Sequence, residues 1–163
     1  MEKEKGRVYS LNIGERKGEP KKPVSEATFL ENFGIVGDVH AGLDEKRQVS
    51  ILSWERIKEK NFCLKRTGEN LKPGDFAENI TIAGLDLTHL EIGTRIFCGQ
   101  VILEVSQIGK KCHTYCEIYK RVGSCLMPKE GIFARVLKGG RIRKGDTVEI
   151  YEKDTSRNCN DKR

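Results

Sequence analysis

No stretch of this sequence is apolar enough to cross a membrane or to act as a secretion signal. The N-terminus, Met1-Glu2-Lys3-Glu4-Lys5-Gly6, alternates in charge and no apolar run follows it. The expectation is therefore a cytosolic protein with no membrane partner. Internal repeats and low-complexity blocks are absent. So is any basic stripe interleaved with aromatics, which make up 7% of the chain. Base stacking and groove recognition need such a stripe, so nucleic acid is disfavoured as the main ligand. The cationic excess is modest, 30 Lys+Arg against 24 Asp+Glu for a net +6, which suits anionic ligands such as phosphates without requiring a polyanion. A reducing cytosol leaves six cysteines without a disulfide framework, so clustering among them points to thiolate or metal chemistry.

What is present is a chain of 163 residues, 37% apolar and 33% charged, long enough to close one core as a single soluble domain. The domain is expected over residues 7–151, with 1–6 and 152–163 as tails. Alternating or β-branched runs predict strands at Arg7–Ile13, Ser25–Leu30, Gly34–Val39, Gln48–Leu52, Ile80–Ile82, Val101–Ile108, Ile132–Leu137 and Asp146–Tyr151. Ser53 reads as the N-cap of a short helix running to about Lys60, with Trp54, Ile57 and Phe62 on one face. A second short helix is expected at Glu117–Val122, stopped by Gly123. Gly14 to Pro23, with its glycines, prolines and basic residues, reads as a solvated surface loop. Short strands broken by frequent glycines predict an antiparallel barrel or sandwich.

The densest chemistry is Lys110-Lys111-Cys112-His113-Thr114-Tyr115-Cys116, with Cys125 after it. Neighbouring ammonium groups favour the thiolate, which is both the nucleophile and the metal ligand, so Cys112 is the candidate reactive atom. A single cysteine is commonly a small buried hydrophobe. Three so close together argue otherwise, whereas Cys159 in the tail reads as incidental. Cys112, His113, Cys116 and Cys125 are also donors that zinc accepts, but one close pair followed by an eight-residue gap is not a two-knuckle spacing, which argues against zinc. Asp38 and His40 in a glycine-flanked turn, and the pair Glu78-Asn79, are weak signals alone. Arg47 and Arg135 lie at or within strands, where each is either an exterior residue or an anion clamp; spacing leaves both open.

Five segments in order resemble the MOSC family, named for the C-terminal domain of molybdenum-cofactor sulfurases. They are Gly34-Ile-Val-Gly-Asp-Val-His40, Arg47-Gln-Val-Ser50, Gly74-Asp-Phe-Ala-Glu-Asn-Ile-Thr81, Gly93 and the Cys112 motif, and the resemblance runs from about Val8 to Ile150. It implies a mainly β chain with a few short helices, forming a closed or partly closed barrel like the barrel domain of pyruvate kinase. It also implies a Cys112 that carries sulfur or ligates molybdenum, a soft thiolate suiting a thiophilic metal. Pocket roles follow for Asp38, His40, Arg47, Glu78 and Asn79, with His40 beside Cys112 as a catalytic candidate and Lys110, Lys111 and Arg135 as further contacts to the molybdenum cofactor, molybdopterin. The basic residues of the 14–23 loop are expected near the pterin phosphate. No aminotransferase-like domain is present and no lysine sits in a pyridoxal-phosphate context, so sulfur must come from a separate donor such as a cysteine desulfurase. The receiving partner would be a molybdoenzyme or a cofactor-biosynthesis protein, and a homodimer is left open. The chain departs from the family in carrying Gly109-Lys110-Lys111 where many members have Arg and Pro, and in adding His113, Cys116 and Cys125. Two other readings stand beside the carrier: a molybdenum-dependent oxidoreductase of N-hydroxylated substrates, and a non-catalytic, zinc-stabilised binding module.

Overall fold

The structure, a computed structural model, describes residues 4–64, 71–111 and 125–151. Along the chain run β1 (Glu4–Ile13), β2 (Lys22–Val24), β3 (Glu26–Leu30), β4 (Gly34–Ile35), β5 (Val49–Ser53) and α1 (Trp54–Leu64). They are followed by β6 (Ile80–Ala83), β7 (Arg95–Cys98), β8 (Val101–Ile108), α2 (Met127–Glu130), β9 (Ile132–Lys138), β10 (Gly140–Arg143) and β11 (Thr147–Tyr151). Among the described residues no helix is long and apolar enough to cross a membrane.

Seven strands close on themselves in the order β1, β6, β5, β9, β8, β7, β11 and back to β1, with β2 added beside β1. The mainly β barrel expected from the sequence is thus what forms. A second, three-stranded sheet orders β10, β3, β4. The barrel pairings are antiparallel except β5 with β6, and α1 lies between those two strands in the chain, as a parallel neighbour needs a crossover. Ser53 Oγ accepts the Arg56 N–H at 3.3 Å, the cap anticipated for this helix.

The barrel is filled by inward residues such as Val8, Ile51, Ile80, Ile82, Ile96, Leu103, Val105, Val136, Val148 and Ile150, and Leu85, Leu87 and Leu90 join the same cluster. A second cluster sits outside the wall, where Leu52 and Phe133 pack against Ile57, Phe76, Leu126 and Met127. All five residues of β5 are therefore buried, and its sequence is apolar without strict alternation because both faces are covered. Strand β8, covered on one face, alternates instead.

Three departures from the sequence reading have physical causes. Residues Glu4–Gly6, expected in a tail, belong to β1 and close the barrel against β11; the backbone ladder, indifferent to side-chain charge, outweighs a polar sequence. Gly34–Val39 contributes a strand of only two residues, because Gly37 turns at φ +90°. The basic run at Gly140–Arg143, absent from the strands read in the sequence, is β10: Ile142 faces inward while Arg143 stands opposite Glu26, its Nε 3.4 Å from the carboxylate. The helix expected at 117–122 lies outside the described residues.

A Cβ at Gly6 would lie 2.6 Å from both the Ala83 carbonyl oxygen and Leu85 Cγ. Gly6→Ala is therefore expected to lower the denaturant midpoint, by about 1–3 kcal/mol in stability. An unchanged midpoint would return residues 4–6 to the tail.

Candidate functional site

Two loops meet at Asp38. The first leaves β1 at Gly14 and returns through Lys21 into β2; the second leaves β4 and turns at Gly37. The Asp38 carboxylate is fully buried, and it is fully bonded. Oδ1 accepts from the Gly14 N–H at 2.9 Å and from Lys21 Nζ at 2.8 Å, and Oδ2 accepts from Lys21 Nζ at 3.0 Å and from the His40 N–H at 3.1 Å. Lys21 Nζ also lies 3.1 Å from His40 Nδ1. The stretch read as solvated thus contains a buried lysine, committed to an ion pair, and ends in strand β2. Buried charges persist only when paired and hydrogen-bonded, and here both are.

Each of the three groups is shifted by this packing. Burial alone would raise Asp38, but the Lys21 ammonium and the N–H donors hold it below the usual carboxylate range. Burial lowers Lys21 against the pull of Asp38. Burial, then the charge of Lys21, push His40 down to about 4; Lys110 and Lys17 act in the same direction and Asp38 opposes them. His40 is neutral at physiological pH, with a side chain 35% exposed, and it stands within electrostatic reach of two further lysines. These cations and the free face of the imidazole could hold an anion.

A polar network on the barrel wall adjoins the pair. Asn12 donates to the Glu78 carbonyl at 3.1 Å and to Thr81 Oγ1 at 3.2 Å, and the Thr81 hydroxyl donates to Glu78 Oε2 at 2.7 Å. The same Oε2 accepts from the Gly74 N–H at 2.9 Å, and Glu78 acts electrostatically on Lys21. Glu78 Oε1 is buried and has no hydrogen-bond partner among the described residues. Asn79 joins strands: its Oδ1 accepts from Ser50 N at 3.0 Å and its amide donates to the Asn12 carbonyl at 3.1 Å.

The expected site residues therefore divide. Asp38 and His40 come together with Glu78 and Asn79 close by, and Lys110 is within electrostatic reach. Lys111 is exposed. Arg47 bonds Asp44 at 3.0 Å and Arg135 bonds Glu104 at 2.8 Å; neither is hydrogen-bonded to Lys21, Asp38 or His40. Cys112, His113 and Cys116 lie outside the described residues, and with them most of the zinc-donor set. Cys98 sits in the barrel core, where burial pushes its thiol up to about 12, so it does not compete as a thiolate. A separate cavity of about 410 Å³, lined by Leu52, Leu85, Ile108, Ile132 and the paired Arg56 and Glu130, contains none of the expected site residues that the structure describes. The burial of Lys21 in an ion pair is what sequence reasoning missed. One lysine among several in a Gly- and Pro-rich stretch gives no signal of burial.

Comparison with known proteins gives a consistent set of matches. The MOSC domain model matches residues 36–149. The uncharacterized protein YflK of Bacillus subtilis is 25% identical over 172 residues, covering 94% of this chain and 76% of its own. Among solved structures, YuaD of Bacillus subtilis superposes with a TM-score of 0.78 at 22% identity, over 94% of this chain and 99% of that one. YiiM of Geobacillus stearothermophilus gives 0.69 at 22% identity, over 92% and 77%. At these identities the structural matches speak for the fold.

Burial pushes the Glu78 carboxyl above its ordinary value, against the donors from Gly74 and Thr81. A group raised on folding contributes stability that is full below its unfolded pKa and is lost as pH climbs through the folded one. Glu78→Gln keeps an acceptor for both donors and has no proton to lose, so it is expected to match the wild type in mild acid and to exceed it as pH rises. Glu78→Ala strands both donors and is expected to cost about 2–4 kcal/mol. Urea midpoints across pH check both, and a Gln variant that falls further below the wild type as pH rises would show that the fold requires the anion.

Proposed function

The chain belongs to the MOSC domain family, and from that membership we propose that it binds the molybdenum cofactor and carries sulfur on Cys112 during cofactor maturation. The observation that supports this most is the cationic surround of His40. Lys17 and Lys110 both act on a neutral, partly exposed imidazole whose inner side is taken by Lys21. The internal charges of Lys21 and Asp38 offset each other, so the field felt by an incoming ligand is set by Lys17 and Lys110 and favours an anion. These residues fit the phosphate-bearing part of a pterin cofactor. Lys17, Lys110 and His40 would hold it, while Lys21, expected from its loop to contact phosphate, is instead committed to Asp38.

When bound, the cofactor supplies a thiophilic metal that accepts a soft thiolate ligand. Cys112 follows Lys110 by two residues, and that much extended chain reaches at most about 7 Å. This covalent tether supports a working position for Cys112 near Lys110, whose charge reaches His40. In the carrier step the Cys112 thiolate attacks the outer sulfur of a donor persulfide. Its electron pair forms the new S–S bond, the donor's S–S bond breaks and the donor thiolate leaves, with no net oxidation. A cysteine desulfurase is the fitting class of donor, and a molybdoenzyme or cofactor-biosynthesis protein the fitting acceptor.

Incubation with a cysteine desulfurase and cysteine, followed by peptide mass spectrometry, is expected to find one added sulfur on Cys112. Cys112→Ala should abolish loading and Cys125→Ala should leave it intact. A Cys112→Ala chain that loads sulfur and binds cofactor like the wild type would end the carrier reading. Molybdenum retained stoichiometrically after purification, with no sulfur on Cys112, would favour an oxidoreductase in its place.

A further inference from the structure

We propose that Lys21 is the positioning residue of this site, its ammonium fixing His40 as the Nε2–H tautomer so that the imidazole presents a neutral N–H to an anionic ligand. An ammonium has three protons and no acceptor capacity. Lys21 Nζ has three acceptors in reach: Asp38 Oδ1 at 2.8 Å, Asp38 Oδ2 at 3.0 Å and His40 Nδ1 at 3.1 Å. A donor facing Nδ1 needs that nitrogen's lone pair, which places the ring proton on Nε2. Asp38 does not bond the ring itself, since its Oδ2 stands 3.9 Å from Nδ1. The carboxylate instead grips the His40 backbone N–H, so one anion sets both where the residue sits and which cation faces its ring.

The usual carboxylate–histidine pair does the reverse, drawing the proton to Nδ1 and leaving Nε2 as a base or metal ligand. The ammonium interposed here converts Nε2 into a donor. The charged groups acting on the ring are Lys21, Lys17 and Lys110, which oppose its protonation, and Asp38, which favours it. His40 therefore acts as a ligand-binding group rather than as the general base of the site. The anionic nature of the ligand rests on the function proposed above; the tautomer does not.

The full chain labelled with 15N-histidine tests this through long-range 1H–15N spectra, with His40 identified by its loss in His40→Gln. The wild type is expected to keep Nδ1 unprotonated and Nε2 protonated from about pH 8 to about pH 5. Inorganic phosphate at neutral pH should move the Nε2–H signal. The double variant K21M/D38N removes both buried charges together, and in it His40 should populate both tautomers, with burial still holding its titration below the free-imidazole value of about 6.5. A wild-type proton on Nδ1, wild-type titration near that value, an Nε2–H signal insensitive to phosphate, or an unchanged ring in the double variant would each overturn the proposal. Should the double variant not fold, the wild-type spectrum decides alone. Cys112→Ser should leave these signals as they are, so failure of sulfur loading and failure of Lys21 positioning are separate results.

Discussion

One buried ion pair organises the site. Taking two charges out of water costs several kcal/mol per ion, and removing either partner leaves the other stranded at a cost of about 3–5 kcal/mol. Lys21 and Asp38 are held because Asp38 is saturated by backbone and side-chain donors, and because the Lys21 backbone is itself anchored, its N–H donating to the Gly74 carbonyl at 2.8 Å. Three loops are thereby tied into one body. The approach is so close that a Cβ at Gly74 would run into the Lys21 carbonyl, and the Gly74 φ of +91° admits glycine at no steric cost.

The barrel supplies the fixed ground for this arrangement. Its parallel β5–β6 pair brings Ser50 and Asn79 together, and the Asn79 amide reaches across to β1 at Asn12. Ser10, Asn12, Thr81 and Glu78 then form a chain of side-chain bonds. Hydrogen bonds linked in this way strengthen one another in a low-dielectric interior, and Glu78 Oε1 is the buried side-chain oxygen that the described residues leave without a partner. Ala77 adopts φ +62° immediately before Glu78, backbone strain that the surrounding bonds must sustain.

Legibility in the sequence followed the physics of each position. Strands β3, β8 and β11 have one buried and one wetter face, so alternation marks them. β10 and the start of β1 are held by ladders whose side chains are mostly charged and exposed, and a hydrophobic pattern cannot register them. The resemblance to a family pointed to Asp38 and His40, which the residues alone left as weak candidates. Lys21 was hidden because its role depends on an aspartate 17 positions away and on burial by a loop more than fifty residues downstream. Arg47 and Arg135 read alike in sequence, and carboxylates only three residues away and on the neighbouring strand engage them.

Cys98 illustrates how placement, not residue type, decides chemistry. Cys98 ends β7 with its side chain inside the barrel, where apolar surroundings and the charge of Asp146 suppress the thiolate. The far end of β8 leads elsewhere. Gly109 turns at φ +70°, its N–H donates to the Gly131 carbonyl at 2.7 Å, and the Lys110 N–H donates to the Pro128 carbonyl at 3.1 Å. A Cβ at Gly109 would meet that same Pro128 carbonyl. The exit is therefore pinned by backbone bonds to α2, which fixes the backbone origin from which Lys110 acts electrostatically on His40.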